Sequence, residues 1–185
     1  AHLGFSWRKP AFAGCNDQGK VYGTTLHAVM QYIDYNACDS LDSVQNEVLR
    51  LQKDGFISEE QLRTVDVCAI ADFFASDVGL KIRKCAAVLR EFKFSVLDDA
   101  DKYVDGTDGE KILLQGVVDC ALIESEGITI IDFKTDNVTD DSLPQKIDTY
   151  STQISTYAHA MEKIYNLPIK QKILYFFKLR RIVSL

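Results

Sequence analysis

A chain of 185 residues, 46% hydrophobic and 26% charged, has room for one compact domain with a sizeable core and the balance of an ordinary globular protein. Its formal net charge of −6 weighs against a module that holds nucleic acid by phosphate neutralisation alone, and less against an enzyme whose divalent cations bring positive charge to a phosphate. No apolar run reaches the ~20 residues that span a bilayer, and no basic stretch leads into an apolar one as in a secretory signal.

In chain order, the first twenty residues read as irregular, with Pro10, Gly14 and Gly19. The chain opens on Ala1 rather than Met, as expected of a segment excised from a longer protein. Gly23-Thr24-Thr25 opens a first helix, in which Leu26, Val29, Met30 and Ile33 follow the i, i+3, i+4, i+7 spacing of a buried stripe. A second helix is expected over residues 43–53, stopping at Asp54-Gly55. Ser58-Glu59-Glu60-Gln61 reads as a capping box. It begins a third helix carrying Leu62, Val65, Ala69, Ile70, Phe73 and Phe74, and a fourth, short one follows Asp77.

Near Ala87 the period changes to two. Val88, Arg90, Phe92 and Phe94 fall on one face of a strand over 88–96, and Leu89, Glu91, Lys93 and Ser95 on the other. Turns at Asp105-Gly106 and Asp108-Gly109 lead to a second strand over 111–124, and Glu126-Gly127 to a third over 128–135. The acidic run Asp98, Asp99, Asp101 and Asp105 lacks the spacing of a calcium loop and reads as a solvated hairpin tip. A loop with Asp140, Asp141 and Pro144 precedes a helix over 147–165, with Ile154, Tyr157, Ala158, Met161 and Tyr165 on one stripe; Asn166 and Pro168 end it. Residues 171–179 form another apolar strand and 182–185 offer a last one. This order implies an α/β fold: one domain over 1–185, with a mixed sheet flanked by helices and a helical N-terminal half.

The five cysteines, Cys15, Cys38, Cys68, Cys85 and Cys120, include no C-x-x-C, so neither a zinc site nor a local iron–sulfur cluster is expected. Reduced, partly buried thiols of a cytosolic protein are the expected reading. Basic residues gather at Lys81, Arg83, Lys84, Arg90 and Lys93 and again at Lys178, Arg180 and Arg181; each group alone reads as a solvated face.

The chemistry-bearing stretch is Gln115-Gly116-Val117-Val118-Asp119 followed by Ile130-Ile131-Asp132-Phe133-Lys134. An acidic residue interrupts each of two adjacent apolar strands. Burying a lone carboxylate costs several kcal/mol unless it is paired or binds a metal, so two of them suggest a shared cation. Asp132 and Lys134 share a strand face, roughly 6.5 Å apart. A carboxylate on Mg²⁺ and a lysine on an attacking water would need that arrangement. The alternative for this pair is a buried Asp–Lys salt bridge. Glu91 is either an exposed strand residue or a further member of the acidic cluster. His27, beside the first helix's apolar stripe, is either structural or a ligand. Gln153 and Tyr157, four apart on the long helix, share a face, with Tyr157 in the core and Gln153 at the rim as the plain reading.

Together these residues resemble the RecB-family nucleases of the PD-(D/E)XK superfamily. The pattern is a helical His, a Gly-x-x-Asp, an Asp-x-Lys and a Gln-x-x-x-Tyr helix, met here as His27, Gly116-Val117-Val118-Asp119, Asp132-Phe133-Lys134 and Gln153-Ile154-Ser155-Thr156-Tyr157. The chain is similar in more detail to the AddA nuclease domains of bacterial AddAB helicase–nucleases. The segments that carry this run from Tyr22-Gly23-Thr24-Thr25-Leu26-His27, through Gly55-Phe56-Ile57-Ser58, Phe73-Phe74-Ala75-Ser76 and Arg90-Glu91-Phe92-Lys93-Phe94, to Asp132-Phe133-Lys134-Thr135-Asp136.

The resemblance implies a restriction-endonuclease-like fold and a DNA exonuclease that hydrolyses single-stranded DNA delivered by a helicase motor, in double-strand break repair by recombination. It implies His27, Asp119 and Asp132 as metal ligands with the Phe133 carbonyl, Lys134 on the nucleophilic water, Glu91 as an outer catalytic acid, and Gln153 and Tyr157 positioning DNA or the lysine. The implied cofactor is Mg²⁺, with Mn²⁺ as a substitute. Some relatives, AddB among them, carry a cysteine-ligated iron–sulfur cluster whose pattern is missing here, so none is expected in this domain. Implied partners are single-stranded DNA, helicase domains of the same parent chain and an AddB-like protein, in the bacterial cytoplasm and away from membranes. No Walker A sequence occurs in this chain, so ATP would be used elsewhere in the parent. The rival readings are an inactive nuclease fold that docks or guides DNA, a stand-alone exonuclease of the same superfamily, and a metal-free domain with a buried salt bridge.

Overall fold

The computed structural model describes residues 17–185. Most of the expected irregular start therefore lies outside the described residues, and the rest is corrected: α1 spans Asp17–Tyr32, so the helix begins ahead of Gly23. Gly23 has a packing reason instead, because a Cβ there would meet Thr135 Oγ1 at 2.8 Å. Helix α2, Leu41–Lys53, also starts earlier than expected. Ser40 caps it, and Ser43 is the returning partner of that capping box rather than the first helical residue. The Ser58/Gln61 box forms as expected, but its helix α3, Glu59–Leu62, is a single turn. Asp66 accepts the Ala69 N–H and starts a separate helix α4, Val67–Ala75; Ser76 then caps α5, Asp77–Lys84.

Strands β1 (Val88–Asp99), β2 (Lys111–Glu124) and β3 (Gly127–Lys134) form an antiparallel meander. Helix α6, Leu143–Tyr165, crosses over to β4, Ile169–Phe176, which runs parallel to β3, and β5, Arg181–Ser184, closes the order β1-β2-β3-β4-β5. Pro144 belongs to the first turn of α6 rather than to a loop, where its missing N–H is harmless. Every residue of β3 is buried, which explains its unbroken apolar run.

The sheet is covered on both faces. Ile131, Phe133, Ile173 and Tyr175 pack with α1, α2, α4 and α5, while Ile128, Ile130, Leu174 and Phe176 pack with α6. The fold is thus the α/β, restriction-endonuclease-like mixed sheet with flanking helices and a helical N-terminal half that the sequence led us to expect.

Two expectations for β1 are corrected. Its faces do not alternate evenly: Val88 packs with the N-terminal helices and Arg90 bonds the carbonyls of Gln31 and Ile33, whereas Phe92, Phe94 and Val96 face α6. The inversion falls at Glu91, which has a left-handed φ of 45°. Strand β2 inverts in step, with Leu114 and Val118 on the α6 side and Cys120 and Leu122 on the other, so the register survives. At the strand's far end Asp98 is fully buried, not solvated. Lys102, Tyr103, His159 and Lys163 all reach its carboxylate, while Asp101, Asp105 and Asp108 are exposed.

Cys38 and Cys120 are buried, Cys85 half-buried and Cys68 exposed, all four free; Cys15 lies outside the described residues. Among the described residues no helix is long and apolar enough to cross a membrane.

Candidate functional site

The site forms where β2 leaves β3. The two strands pair only from Cys120↔Ile131 to Glu124↔Gly127. Just past that ladder Asp119 Oδ2 accepts the Phe133 N–H at 2.9 Å, so a carboxylate takes over where the backbone pairing ends. Its other oxygen, Oδ1, lies 3.4 Å from His27 Nδ1 of α1, and Glu91 Oε1 lies 3.6 Å from the same nitrogen. The ligating atoms of His27, Glu91 and Asp119 all fall within 4.8 Å of one another. Glu91 reaches this cluster because its φ turns the side chain out of the strand's alternation.

Asp132 and Lys134 are 4% and 8% exposed on the α6 face of β3. The Lys134 ammonium pairs with the Asp132 carboxylate and donates to Gln153 Oε1 at 3.0 Å. Gln153 Nε2 in turn donates to the Tyr157 hydroxyl at 2.9 Å, so the i, i+4 pair on α6 forms one chain of bonds leading to the lysine. Burial pushes the Tyr157 phenol up to about 12, with Asp132 adding to it, so it stays protonated. Gly116 leaves room for this arrangement: a Cβ there would meet the rings of Phe94 and Tyr157 at 2.7 Å.

Burial first, and the charge of Asp119 second, push the Asp132 carboxyl well above the usual carboxylate range, against the pull of Lys134. A cation between the two carboxylates would relieve that repulsion. The converging imidazole and two carboxylates of His27, Glu91 and Asp119 suit a hard divalent ion such as Mg²⁺ or Mn²⁺; Asp132 stands outside that cluster, within electrostatic reach of Asp119. Phe133 presents only its main chain to this region, since its ring packs edge-on against Phe73 of α4.

All of the sequence-derived residues, His27, Glu91, Asp119, Asp132, Phe133, Lys134, Gln153 and Tyr157, are thus gathered in one region. All but Asp119 line a single cleft of about 1300 Å³, and Asp119 is buried behind it against His27 and Phe133. Sequence reasoning missed Tyr150, whose ring centre lies 3.7 Å from Lys134 Nζ, and Asp136, whose carboxylate accepts the Tyr150 hydroxyl. The signal was available, because Tyr150, Gln153 and Tyr157 fall at i, i+3 and i+7 of one helix stripe.

Residues 8–183 match the PD-(D/E)XK nuclease superfamily. The chain belongs to that superfamily. It is similar to an ATP-dependent helicase/nuclease protein of Bacillus mycoides (strain KBAB4), 36% identical over 173 residues, and to its namesake in Bacillus cereus (strain B4264), also 36% identical over 173 residues. The namesake in Bacillus cytotoxicus is 34% identical over 173 residues. Each match covers 88% of this chain but 14% of the relative, so this superfamily member spans a small part of the length of the proteins it resembles. Within the superfamily domain, the acidic and histidine cluster, the Asp132–Lys134 pair and the α6 bond chain occupy one site.

Proposed function

We propose that residues 1–185 form one nuclease domain of a longer helicase–nuclease chain, hydrolysing phosphodiester bonds of single-stranded DNA with a divalent cation, Mg²⁺ or Mn²⁺. The observation that carries this reading is the convergence of His27, Glu91 and Asp119 within 4.8 Å, beside the buried Asp132–Lys134 pair. His27, Asp119 and Asp132 would hold the cation, with the Phe133 carbonyl. Glu91 joins them as a direct ligand rather than an outer acid. When bound, the cation supplies Lewis-acid polarisation of the phosphate and of the attacking water.

The protein's own groups do the positioning. Lys134 donates to the incoming water and steadies charge developing on the phosphate. Gln153 and Tyr157 fix the lysine's direction, through the 3.0 Å and 2.9 Å bonds. Burial of Asp132 and Lys134 excludes bulk water and strengthens each interaction. The relatives named as ATP-dependent helicase/nucleases support a setting in which helicase domains of the parent chain feed the strand, an AddB-like protein is the partner, and the work is recombinational repair in the bacterial cytoplasm.

The test is degradation of single-stranded DNA with Mg²⁺ or Mn²⁺, comparing wild type with Asp132→Ala. Cutting should fall by more than about 100-fold. Undiminished cutting by the variant would remove the site assignment.

A further inference from the structure

The basic residues divide into those already neutralised and those left over. In the cluster Lys178, Arg180 and Arg181, Arg180 pairs with Asp72 at 2.8 Å and Arg181 with Asp140 at 2.6 Å. Lys178 makes no ion pair among the described residues. It extends from the β4–β5 turn over the ring of Tyr22, its Nζ 4.0 Å from the ring centre. Lys20, exposed on the first turns of α1, likewise has no ion pair among the described residues. Among the described residues, the only ion pair of Arg63, at the end of α3, is an exposed i, i+4 contact to Glu59, the kind that solvent and salt weaken most.

These three cations come from three separate elements and line the same cleft as His27, Glu91 and Asp132. The chain carries a net charge of −6, and Lys53, Lys84 and Lys93, which also make no ion pair among the described residues, lie outside the lining of this cleft. Three cations lining a cavity that also holds His27, Glu91 and Asp132 match a polyanion that reaches from one group to the other. The acidic cluster would take one phosphate through a cation; neighbouring phosphates of the same strand need direct positive charge.

We propose that Lys20, Arg63 and Lys178 form a phosphate-binding subsite for the single-stranded polynucleotide, separate from the scissile phosphodiester. Tyr22 serves as the platform that holds Lys178 over the cleft. This subsite rests on the nuclease reading above. It sets affinity and its salt dependence, while the chemical step belongs to the acidic cluster.

The experiment uses the 185-residue chain and a fluorescently labelled single-stranded oligothymidine. Anisotropy is followed through a KCl series in EDTA, where no cutting occurs. Each lost single-strand phosphate contact lowers the slope of log affinity against log salt by about 0.7, so Lys20→Gln/Lys178→Gln should flatten it by about 1.4 and weaken low-salt binding roughly tenfold. In Mn²⁺ the same double variant should raise KM with kcat unchanged. Lys53→Gln, at the end of α2 and outside the cleft lining, should match wild type. If wild type cuts and the double variant equals it in slope, affinity and KM, the subsite falls and the nuclease reading stands. If wild type neither binds nor cuts DNA, both fall together.

Discussion

Glu91 and Asp119 lie opposite each other where the β1–β2 register passes from Arg90↔Cys120 to Phe92↔Val118 with no pair between. Both strands exchange their inward faces there, and Glu91 takes a φ of 45°. A residue with a β-carbon in that region carries roughly 1–2 kcal/mol of strain. The same backbone turn brings the Glu91 carboxylate to His27 and Asp119. The strained conformation and the proposed ligand position are therefore one feature, and substitutions can separate them.

Glu91→Gly and Glu91→Ala should lose Mn²⁺ affinity to the same extent by isothermal titration calorimetry, because both remove the carboxylate. They should differ in stability. Alanine keeps the strained β-carbon and glycine does not, so the glycine variant should be more stable than the alanine one by about 1 kcal/mol in urea denaturation. An alanine variant as stable as the glycine one would show that the left-handed conformation is not maintained without the glutamate.

Gly116 tests the link from core packing to the lysine. An added methyl would stand 2.7 Å from both Phe94 and Tyr157, inside contact distance of two packed rings. Gly116→Ala should cost about 1–3 kcal/mol of stability. It should also slow cutting at temperatures where the variant is fully folded, since moving Tyr157 loosens Gln153 and hence Lys134. Slower unfolding-corrected turnover is the readout; unchanged turnover with lowered stability would confine Gly116 to packing.

Much of this was legible because local rules decided it. The α1 stripe of Leu26, Val29, Met30 and Ile33 is buried as its spacing required, and the Ser58/Gln61 box forms as written. The two acidic interruptions of apolar strands pointed to the region where the structure brings Asp119 and Asp132 together with His27 and Glu91. What escaped is what tertiary contacts impose. The even alternation read for β1 fails at Glu91, where the site overrides strand period. The Asp98 cluster looked like a solvated tip because its neighbours Asp101, Asp105 and Asp108 are one; only the return of α6 brings His159 and Lys163 to it. Glu91's place beside His27 also depends on α1 packing against the sheet, a long-range fact that no strand pattern contains.

Tyr150 should matter through its ring rather than its hydroxyl. The ring lies 3.7 Å from the Lys134 ammonium in a buried setting, where a cation–π contact is worth ~1–2 kcal/mol. Asp136 holds the ring in place by accepting the Tyr150 hydroxyl, with Lys146 Nζ 3.3 Å from the same carboxylate. Tyr150→Leu should therefore slow the single-turnover rate by about tenfold with KM little changed, and Tyr150→Phe should recover most of it. Equal loss in both variants would shift the role to the hydroxyl and Asp136.

Asp98 gives a pH-dependent stability, away from the cleft. An aspartate in the unfolded chain titrates near ~3.9. In the fold, burial alone would raise that value, but hydrogen bonds from Lys102, Lys163 and Tyr103 outweigh burial and hold the carboxyl well below the usual range. The folded protein then binds this proton more weakly than the unfolded one. Its contribution is complete above about pH 4 and is lost as the pH falls through the depressed folded value. Asp98→Asn lacks the contribution at every pH. Since Lys102 and Lys163 are 47% and 41% exposed and rehydrate readily, the loss at neutral pH should be roughly 2–3 kcal/mol, less than for a wholly buried pair. Urea denaturation of the two proteins should show that gap at neutral pH and a steady narrowing below about pH 4. A gap that stays constant into acid would mean that the carboxylate's charge contributes nothing and that the asparagine loses only shape and hydrogen bonds. Nuclease activity at neutral pH, measured below the melting range of both, should be the same in the two, because Asp98 lines no part of the cleft.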